Sequence, residues 1–586
     1  MSASAGEGAA VTAAWDFSGP LDSSRAEDLE SLRADLAAAD YSSEGVEGIV
    51  GAPAFEALHA EQLAPGRLLL ADFWAQEDRA AQVAGAEEDS LASASGAGER
   101  AEAQRRACAV MAGWWVFATP QPAERLAAAF PRTGLEGLAR LGFLALEDAE
   151  APAGASLRPL ADLRPHEGDD IGLIWVASDL GSHYAEKALD SEYVLGVGQA
   201  SLTLARSIVR TPARSALDLG TGCGIQVFHL LAHCDRVTAT DLSERALNYT
   251  AFNLLLNADR LRLREVDGAP RVRLLRGSLL EPVEGEAFDL VVSNPPFVIT
   301  PRNARTDSSR YTYRDGGLPG DRLVAELVQT LPRVLKPGGV AQLLGNWEIV
   351  GDEPWDSAPR AWEASARETA SALQPSGGDA DAWFIQREET DTLQYALTWL
   401  SDAVRTWDAG AQEAALAEYR DDFASRGVTR VGFGLVLLRR PRGPEDAWRT
   451  GSVFEEITHP IEQPVGPSLA AALERRAQTA RAAAAGKAGE LFAVVAEDVT
   501  EERHQRPGAE HPGVILLRQG AGLRRTCLLS SELAGFVSAA DGELSVAQIA
   551  GALEAILEEE GLAERLVPEV LQLVDEGFLV LPAVEG

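Results

Sequence analysis

Three glycines spaced two apart, Gly220, Gly222 and Gly224, close the short apolar segment Ser215-Ala216-Leu217-Asp218-Leu219 and run directly into Gln226-Val227-Phe228-His229-Leu230-Leu231. The pattern predicts a buried strand, a tight turn and a helix, the opening unit of an α/β fold. Only glycine takes positive φ at no steric cost and lets backbone pass close against a ligand, so the turn is expected to cradle one. A dinucleotide fingerprint would need its last glycine at 225, where Ile225 stands, which disfavours a pyrophosphate cradle.

The units that follow extend the sheet. Arg236-Val237-Thr238-Ala239-Thr240-Asp241 reads as a second strand ending on a carboxylate 23 positions after Asp218, where an acid can accept both hydroxyls of a ribose. Arg273-Leu274-Leu275-Arg276-Gly277-Ser278-Leu279 reads as a third strand with its turn. Phe288-Asp289-Leu290-Val291-Val292-Ser293 reads as the fourth, and it delivers Asn294-Pro295-Pro296-Phe297, 53 residues beyond Asp241. Each proline fixes its own φ and restricts the residue before it, so this loop is stiff. Phe297 offers a face on which a flat group can stack, worth on the order of 1 kcal/mol beyond its buried area. Then come Tyr313-Arg314-Asp315-Gly316-Gly317-Leu318-Pro319-Gly320-Asp321, a helix over 322–335, Lys336-Pro337-Gly338-Gly339 and a fifth strand over 340–344.

The glycine turn resembles motif I of the class I S-adenosylmethionine-dependent methyltransferases. Over roughly 190–350 the succession resembles the release-factor glutamine methyltransferases, which share the Gly-Gly turn and Lys-Pro-Gly-Gly. Those enzymes usually carry Tyr where Phe297 stands, and Asn-Pro-Pro-Phe is equally at home in enzymes resembling the ribosomal-RNA guanine-N2 and adenine-N6 methyltransferases. The resemblance implies S-adenosylmethionine as cofactor. Asp218, Gly220, Thr221, Gly222 and Gly224 would face its amino-acid end, Asp241 its ribose, and Leu242, Gly277, Ser278 and Leu279 the neighbourhood of its adenine. It also implies that the Asn294 side-chain oxygen and the Pro295 carbonyl accept the two hydrogens of an amino group, with Pro296 and Phe297 completing the catalytic loop. Two such acceptors orient a planar nitrogen and stabilise the charge building on it. A retired, non-catalytic scaffold that keeps the cofactor pocket is the alternative class, and the intact Asn-Pro-Pro-Phe speaks against it.

At 586 residues the chain exceeds one ordinary domain. The expectation is a disordered tail (1–20), an N-terminal helical, winged-helix-like domain (21–170), a seven-stranded Rossmann-like methyltransferase sheet (171–440), and a C-terminal domain with a winged-helix-like end (441–586). The tail is followed by an amphipathic helix over 26–39 with Leu29, Leu32 and Leu36 on one face. Residues 76–106, rich in Ala, Glu, Ser and Gly, read as an exposed insertion or a flexible loop. Helices over 121–130 and 134–141 and a strand Phe143-Leu144-Ala145-Leu146 suggest the first winged helix.

Past the fifth strand, 351–382 reads as helix and loop, 382–387 as a sixth strand, 392–424 as helices and 430–438 as a seventh strand. Trp347 either lines the pocket or packs beneath it. Beyond Pro441 a linker leads to helices over 530–539, 545–557 and 567–575 and a strand over 577–581. The order Phe536, Asp541-Gly542, Val546, Ile549, Val574-Asp575-Glu576-Gly577-Phe578 resembles winged-helix modules that add a bound peptide as an edge strand.

The net charge of −37 is carried by the flanks. Residues 171–350 hold 19 basic and 20 acidic side chains, against 12 and 29 in 1–170 and 21 and 40 in 351–586. Long duplex DNA is therefore an improbable partner, because binding a polyanion draws on Lys and Arg. A protein or peptide is the favoured substrate, and RNA stays open through the basic loop Arg302, Arg305, Arg310 and Arg314. Cys108, Cys223, Cys234 and Cys527 show no metal-ligand spacing, so no metal is expected and the setting reads as reducing and cytoplasmic. No apolar run approaches the ~20 residues a membrane helix needs, and the composition points to a GC-rich bacterial genome. Neither the identity of the methyl acceptor nor the oligomeric state is legible.

Overall fold

The computed structural model describes residues 15–59, 62–86, 96–152, 154–181, 192–301, 318–373, 380–403 and 409–582. The basic loop Arg302–Arg314, with Tyr313 and the Gly316-Gly317 turn, lies outside the described residues.

The largest sheet has eight strands: β1 (Ala213–Leu219), β2 (Cys234–Asp241), β3 (Val272–Arg276), β4 (Phe288–Ser293), β5 (Leu335–Val350), β6 (Asp381–Asp391), β7 (Val428–Arg439) and β8 (Val453–Glu456). Their order is β8-β6-β7-β5-β4-β1-β2-β3. β2 and β3 pair in parallel, Val237 opposite Val272 and Asp241 opposite Arg276. So do β4 and β5, Ser293 opposite Leu343. β7 runs antiparallel to β5 and β6. The expected seven strands are present. An eighth was missed: Val453–Glu456 pairs in parallel with β6, in the stretch expected to be a linker. That stretch is held because Asp446, buried, takes hydrogen bonds from Arg439, the Arg442 N–H and Arg481, the last at 2.5 Å. Spacing alone does not reveal a carboxylate with three partners.

The residues divide into two compact units: what is described of Met1–Ser201 with Asp218–Val283, and what is described of Leu202–Leu217, Glu284–Thr306 and Arg314–Gly586.

In the first unit, helix Ala26–Ala38 buries Leu29, Leu32 and Leu36 as its periodicity predicts. Of the stretch expected to be a disordered tail, 1–14 lie outside the described residues, whereas 15–20 are tied down. The Ser18 N–H donates to Glu244 Oε1 at 2.9 Å, and Asn248 Nδ2 donates to the Phe17 carbonyl at 3.0 Å. Where an exposed insertion or flexible loop was expected, residues 98–106 are exposed but helical: helices Ala64–Ala86 and Gly96–Met111 flank the undescribed 87–95, because Ala, Glu, Arg and Gln are strong helix formers even without apolar periodicity. The expected strand over 143–146 does not form. Phe143 and Leu144 are buried after the left-handed cap Gly142, and a 3-10 turn Leu146–Glu150 follows. An unforeseen hairpin comes next, Asp162–Gly168 against Gly172–Ser178.

In the second unit, helices Ser531–Ser538, Val546–Leu557 and Leu562–Glu576 pack Phe536, Ile549, Leu566, Val570 and Val574 into one core. Two three-stranded sheets join them, 541–545/492–495/579–580 and 499–504/514–519/526–529, most of which periodicity did not disclose. Among the described residues no helix is long and apolar enough to cross a membrane.

Candidate active site

Asp218 lies at the end of β1, fully buried. Its Oδ2 accepts a hydrogen bond from the Thr221 hydroxyl at 2.7 Å, while its buried Oδ1 has no hydrogen-bond partner among the described residues. Burial pushes its pKa up to about 7, and nearby Asp241 pushes the same way. Gly220, Gly222 and Gly224 all have positive φ, at 78°, 56° and 92°. No atom stands within 4 Å of where a Cβ would sit on Gly220 or Gly222, so the turn opens onto free space. At Gly224 a Cβ would meet Phe228 at 3.0 Å and Thr250 at 3.1 Å, and there the glycine serves close packing.

The second strand brings Asp241 to this turn. Its Oδ2 accepts the Gly222 N–H at 3.0 Å and its Oδ1 the Ser243 N–H at 2.9 Å. Burial raises its pKa despite those bonds. Leu242, next in sequence, is 69% exposed, an apolar face beside an acid. The Gly277 N–H donates to the Asp241 carbonyl at 3.0 Å, which draws the third strand's turn alongside; there Ser278 is half-buried and Leu279 has φ +46°. Two residues that the sequence reading missed hold the turn from behind. On helix Glu244–Leu256, Thr250 Oγ1 donates to the Gly222 carbonyl and Asn253 Nδ2 to the Cys223 carbonyl, each at 2.9 Å.

In the second unit, β4 ends on buried Ser293, and the loop continues with Asn294 half-buried, Pro295 buried, and Pro296 and Phe297 half-buried. This loop too is pinned by residues missed in the sequence. Asn346 on β5 donates from Nδ2 to the Phe297 carbonyl at 2.8 Å, and the Tyr395 hydroxyl accepts the Ile299 N–H at 2.8 Å. Asn346 is fully buried, and its Oδ1 has no hydrogen-bond partner among the described residues. Tyr395 stacks on Phe433 with centroids 5.8 Å apart and meets Phe423 edge-on, so its hydroxyl sits on a rigid aromatic base. Burial holds its pKa well above the usual tyrosine value, so it stays protonated.

Residues 195–308 match the methyltransferase small domain family, and 38–154 match a domain of unknown function, DUF7059. The chain is 29% identical to the ribosomal protein uL3 glutamine methyltransferase of Bradyrhizobium diazoefficiens, over 30% of this chain and 54% of that one. It is 34% identical to the release factor glutamine methyltransferase of Caulobacter vibrioides, over 22% and 44%. It is 32% identical to the ribosomal RNA small subunit methyltransferase C of Alcanivorax borkumensis, over 23% and 32%. The chain thus spans about half or less of the length of these three relatives.

The segment that matches the methyltransferase family fits S-adenosylmethionine on its own geometry. An orphaned buried carboxylate oxygen at Asp218, open space over Gly220 and Gly222, and an acid with an exposed leucine at 241–242 suit a nucleoside with a cationic tail. Trp347 does not line a pocket. It is fully buried, donates from Nε1 to Gln386 Oε1 at 2.9 Å, and packs against Gly432, whose Cβ, if present, would overlap the indole. Strand alternation puts it on the face opposite Asn346.

Proposed function

We propose that the chain transfers a methyl group from S-adenosylmethionine to a planar sp2 nitrogen, and that the acceptor is a protein or peptide amide of the glutamine type. What carries the reading is the loop Asn294–Phe297, stiffened by two prolines and pinned by Asn346 and Tyr395 in a domain of methyltransferase kind.

Asp218 and Asp241 hold the cationic and ribose ends of S-adenosylmethionine. Gly220, Thr221, Gly222 and Gly224 form the cradle, and Leu242, Gly277, Ser278 and Leu279 border the base. When bound, the cofactor supplies an electrophilic methyl. An amide nitrogen is a poor nucleophile because its lone pair is delocalised. Asn294 Oδ1 and the Pro295 carbonyl accept its two hydrogens, turn the lone pair toward the methyl and stabilise the positive charge that grows on nitrogen. Phe297 stacks on the amide plane. The proton becomes acidic once the N–C bond forms and leaves to solvent, so no dedicated base is required.

The glutamine preference rests on kinship with enzymes named for glutamine and on acidic terminal domains, which suit a protein partner better than a polyanion. The winged-helix-like C-terminal end would take a bound peptide as an added edge strand. A cytoplasmic setting suits four free cysteines, three of them buried. The test is transfer of labelled methyl to a bacterial lysate, followed by digestion. Label released by protease and stable to ribonuclease is the expected outcome. Label released by ribonuclease alone would move the acceptor to the exocyclic amine of an RNA base, and no label at all, with cofactor bound, would make the chain a scaffold.

A further inference from the structure

Helix Glu244–Leu256 and the residue capping it present polar side chains at four-residue spacing, Arg245, Tyr249, Asn253 and Asn257, which share one stripe. The stripe meets the edge of strand Gly172–Ser178 and the residue after it. Asn253 accepts the Ala177 N–H at 2.7 Å and donates to the Ala177 carbonyl at 2.9 Å. One turn on, Asn257 does the same to Trp175, at 3.0 and 2.8 Å. Arg245 and the Tyr249 hydroxyl close on Asp179, the latter at 2.7 Å. Two asparagine amides thus act as a neighbouring strand for the hairpin.

Asn253 has a second attachment. The other hydrogen of its Nδ2 goes to the Cys223 carbonyl of the glycine turn at 2.9 Å. Asn253 is fully buried, and its planar amide holds hairpin and turn at a fixed mutual angle. Among the described residues, Asn257 bonds Trp175 and the Asn253 carbonyl but not the turn. We infer that Asn253 is a positioning residue that couples the seating of the hairpin 162–178 to the shape of the cofactor turn, so that hairpin and cofactor stabilise one another. The inference rests on the turn being the S-adenosylmethionine site. If the Cys223 carbonyl is released, the peptide between Cys223 and Gly224 can rotate and the cradle loses its preorganisation. Coupling of this kind is reciprocal, so a partner gripping the N-terminal region would be felt in cofactor affinity.

The test uses the full chain and S-adenosylhomocysteine, with calorimetric Kd and thermal unfolding measured on wild type, Asn253→Asp, Asn253→Ala and Asn257→Ala. Asn253→Asp keeps the acceptor for the Ala177 N–H but no longer donates to the Ala177 and Cys223 carbonyls. It is expected to weaken binding roughly tenfold, the equivalent of one lost buried hydrogen bond. Asn257→Ala should lower Tm at least as much while leaving Kd within about twofold, since its bonds stop at the hairpin. Equal Kd in wild type and the Asn253 variants would overturn the inference, as would losses that track Tm alike at both asparagines. If the Asn253 variants do not fold, hydrogen exchange on wild type decides: slowed exchange at 175–178 on adding ligand supports the coupling, and protection confined to 218–243 contradicts it. A wild type that binds no S-adenosylhomocysteine would instead refute the cofactor assignment.

Discussion

The glycine turn and the Asn-Pro-Pro-Phe loop are both strand-end loops, yet they are held in different ways. The turn is anchored by near neighbours: Thr221 on Asp218 three residues away, Asp241 on Gly222 nineteen away, and Thr250 and Asn253 twenty-eight and thirty away. The loop is anchored from far along the chain, by Asn346 at forty-nine residues and Tyr395 at ninety-six. On the proposed function, cofactor binding would thus be encoded in one short stretch, whereas acceptor geometry would depend on the later strands and helices being in place. The comparison teaches that changes behind the loop should cost turnover with little cost in cofactor affinity, and changes at the turn should do the reverse.

The sharpest way to break that division is Asn294→Ala. Methyl transfer is expected to fall at least ~100-fold, the scale of losing a preorganised acceptor in the transition state, with the Kd for S-adenosylhomocysteine unchanged in calorimetry. A matching loss of cofactor affinity would erase the distinction. Asp241→Ala is the mirror image. It removes the acceptor of both the Gly222 and Ser243 N–H groups, and cofactor affinity should drop by roughly 10- to 100-fold. Tyr395→Phe should be milder, because it keeps the ring stack and removes only a hydroxyl that accepts the Ile299 N–H and, more weakly, Asn346 Nδ2 at 3.4 Å. About a tenfold loss of kcat is expected, with cofactor Kd intact, in a steady-state assay on labelled lysate.

A subtler effect concerns pH. Asp218 has its folded pKa raised by burial to about 7, so the folded state binds a proton there that the unfolded chain has lost. Its contribution to stability is present below the unfolded carboxylate range and is lost as pH rises through about 7. Asp241 is displaced in the same direction. Tm of the cofactor-free protein should therefore decline between pH 5 and pH 8, read by thermal unfolding, and Asp218→Asn should flatten the decline; an unchanged slope would remove Asp218 as its source.

The same division explains what could be read in advance. β1 to β4 and their ends were legible because each strand is a short apolar run closed by its own glycine, acid or proline signal, and the residues they deliver lie where the pattern puts them. β8 was not legible, since Val453-Phe454-Glu455-Glu456 is too short to carry a period and finds its place only by pairing with β6. Asn253 carried no signal in the sequence, and its value comes from touching Ala177 and Cys223 at once. Of Asn346 and Trp347, adjacent in sequence, the tryptophan takes the packed one of its two expected places, and the unremarked asparagine holds the loop.

The most direct test of the whole account is a crystal structure of the full chain grown with S-adenosylhomocysteine. The account predicts the ligand's amino-acid end against Gly220–Gly224, its ribose on Asp241, and its sulfur aimed at a point from which an amino group reaches both Asn294 Oδ1 and the Pro295 carbonyl. A ligand seated elsewhere, or an Asn294 side chain turned out of reach of any such point, would contradict it.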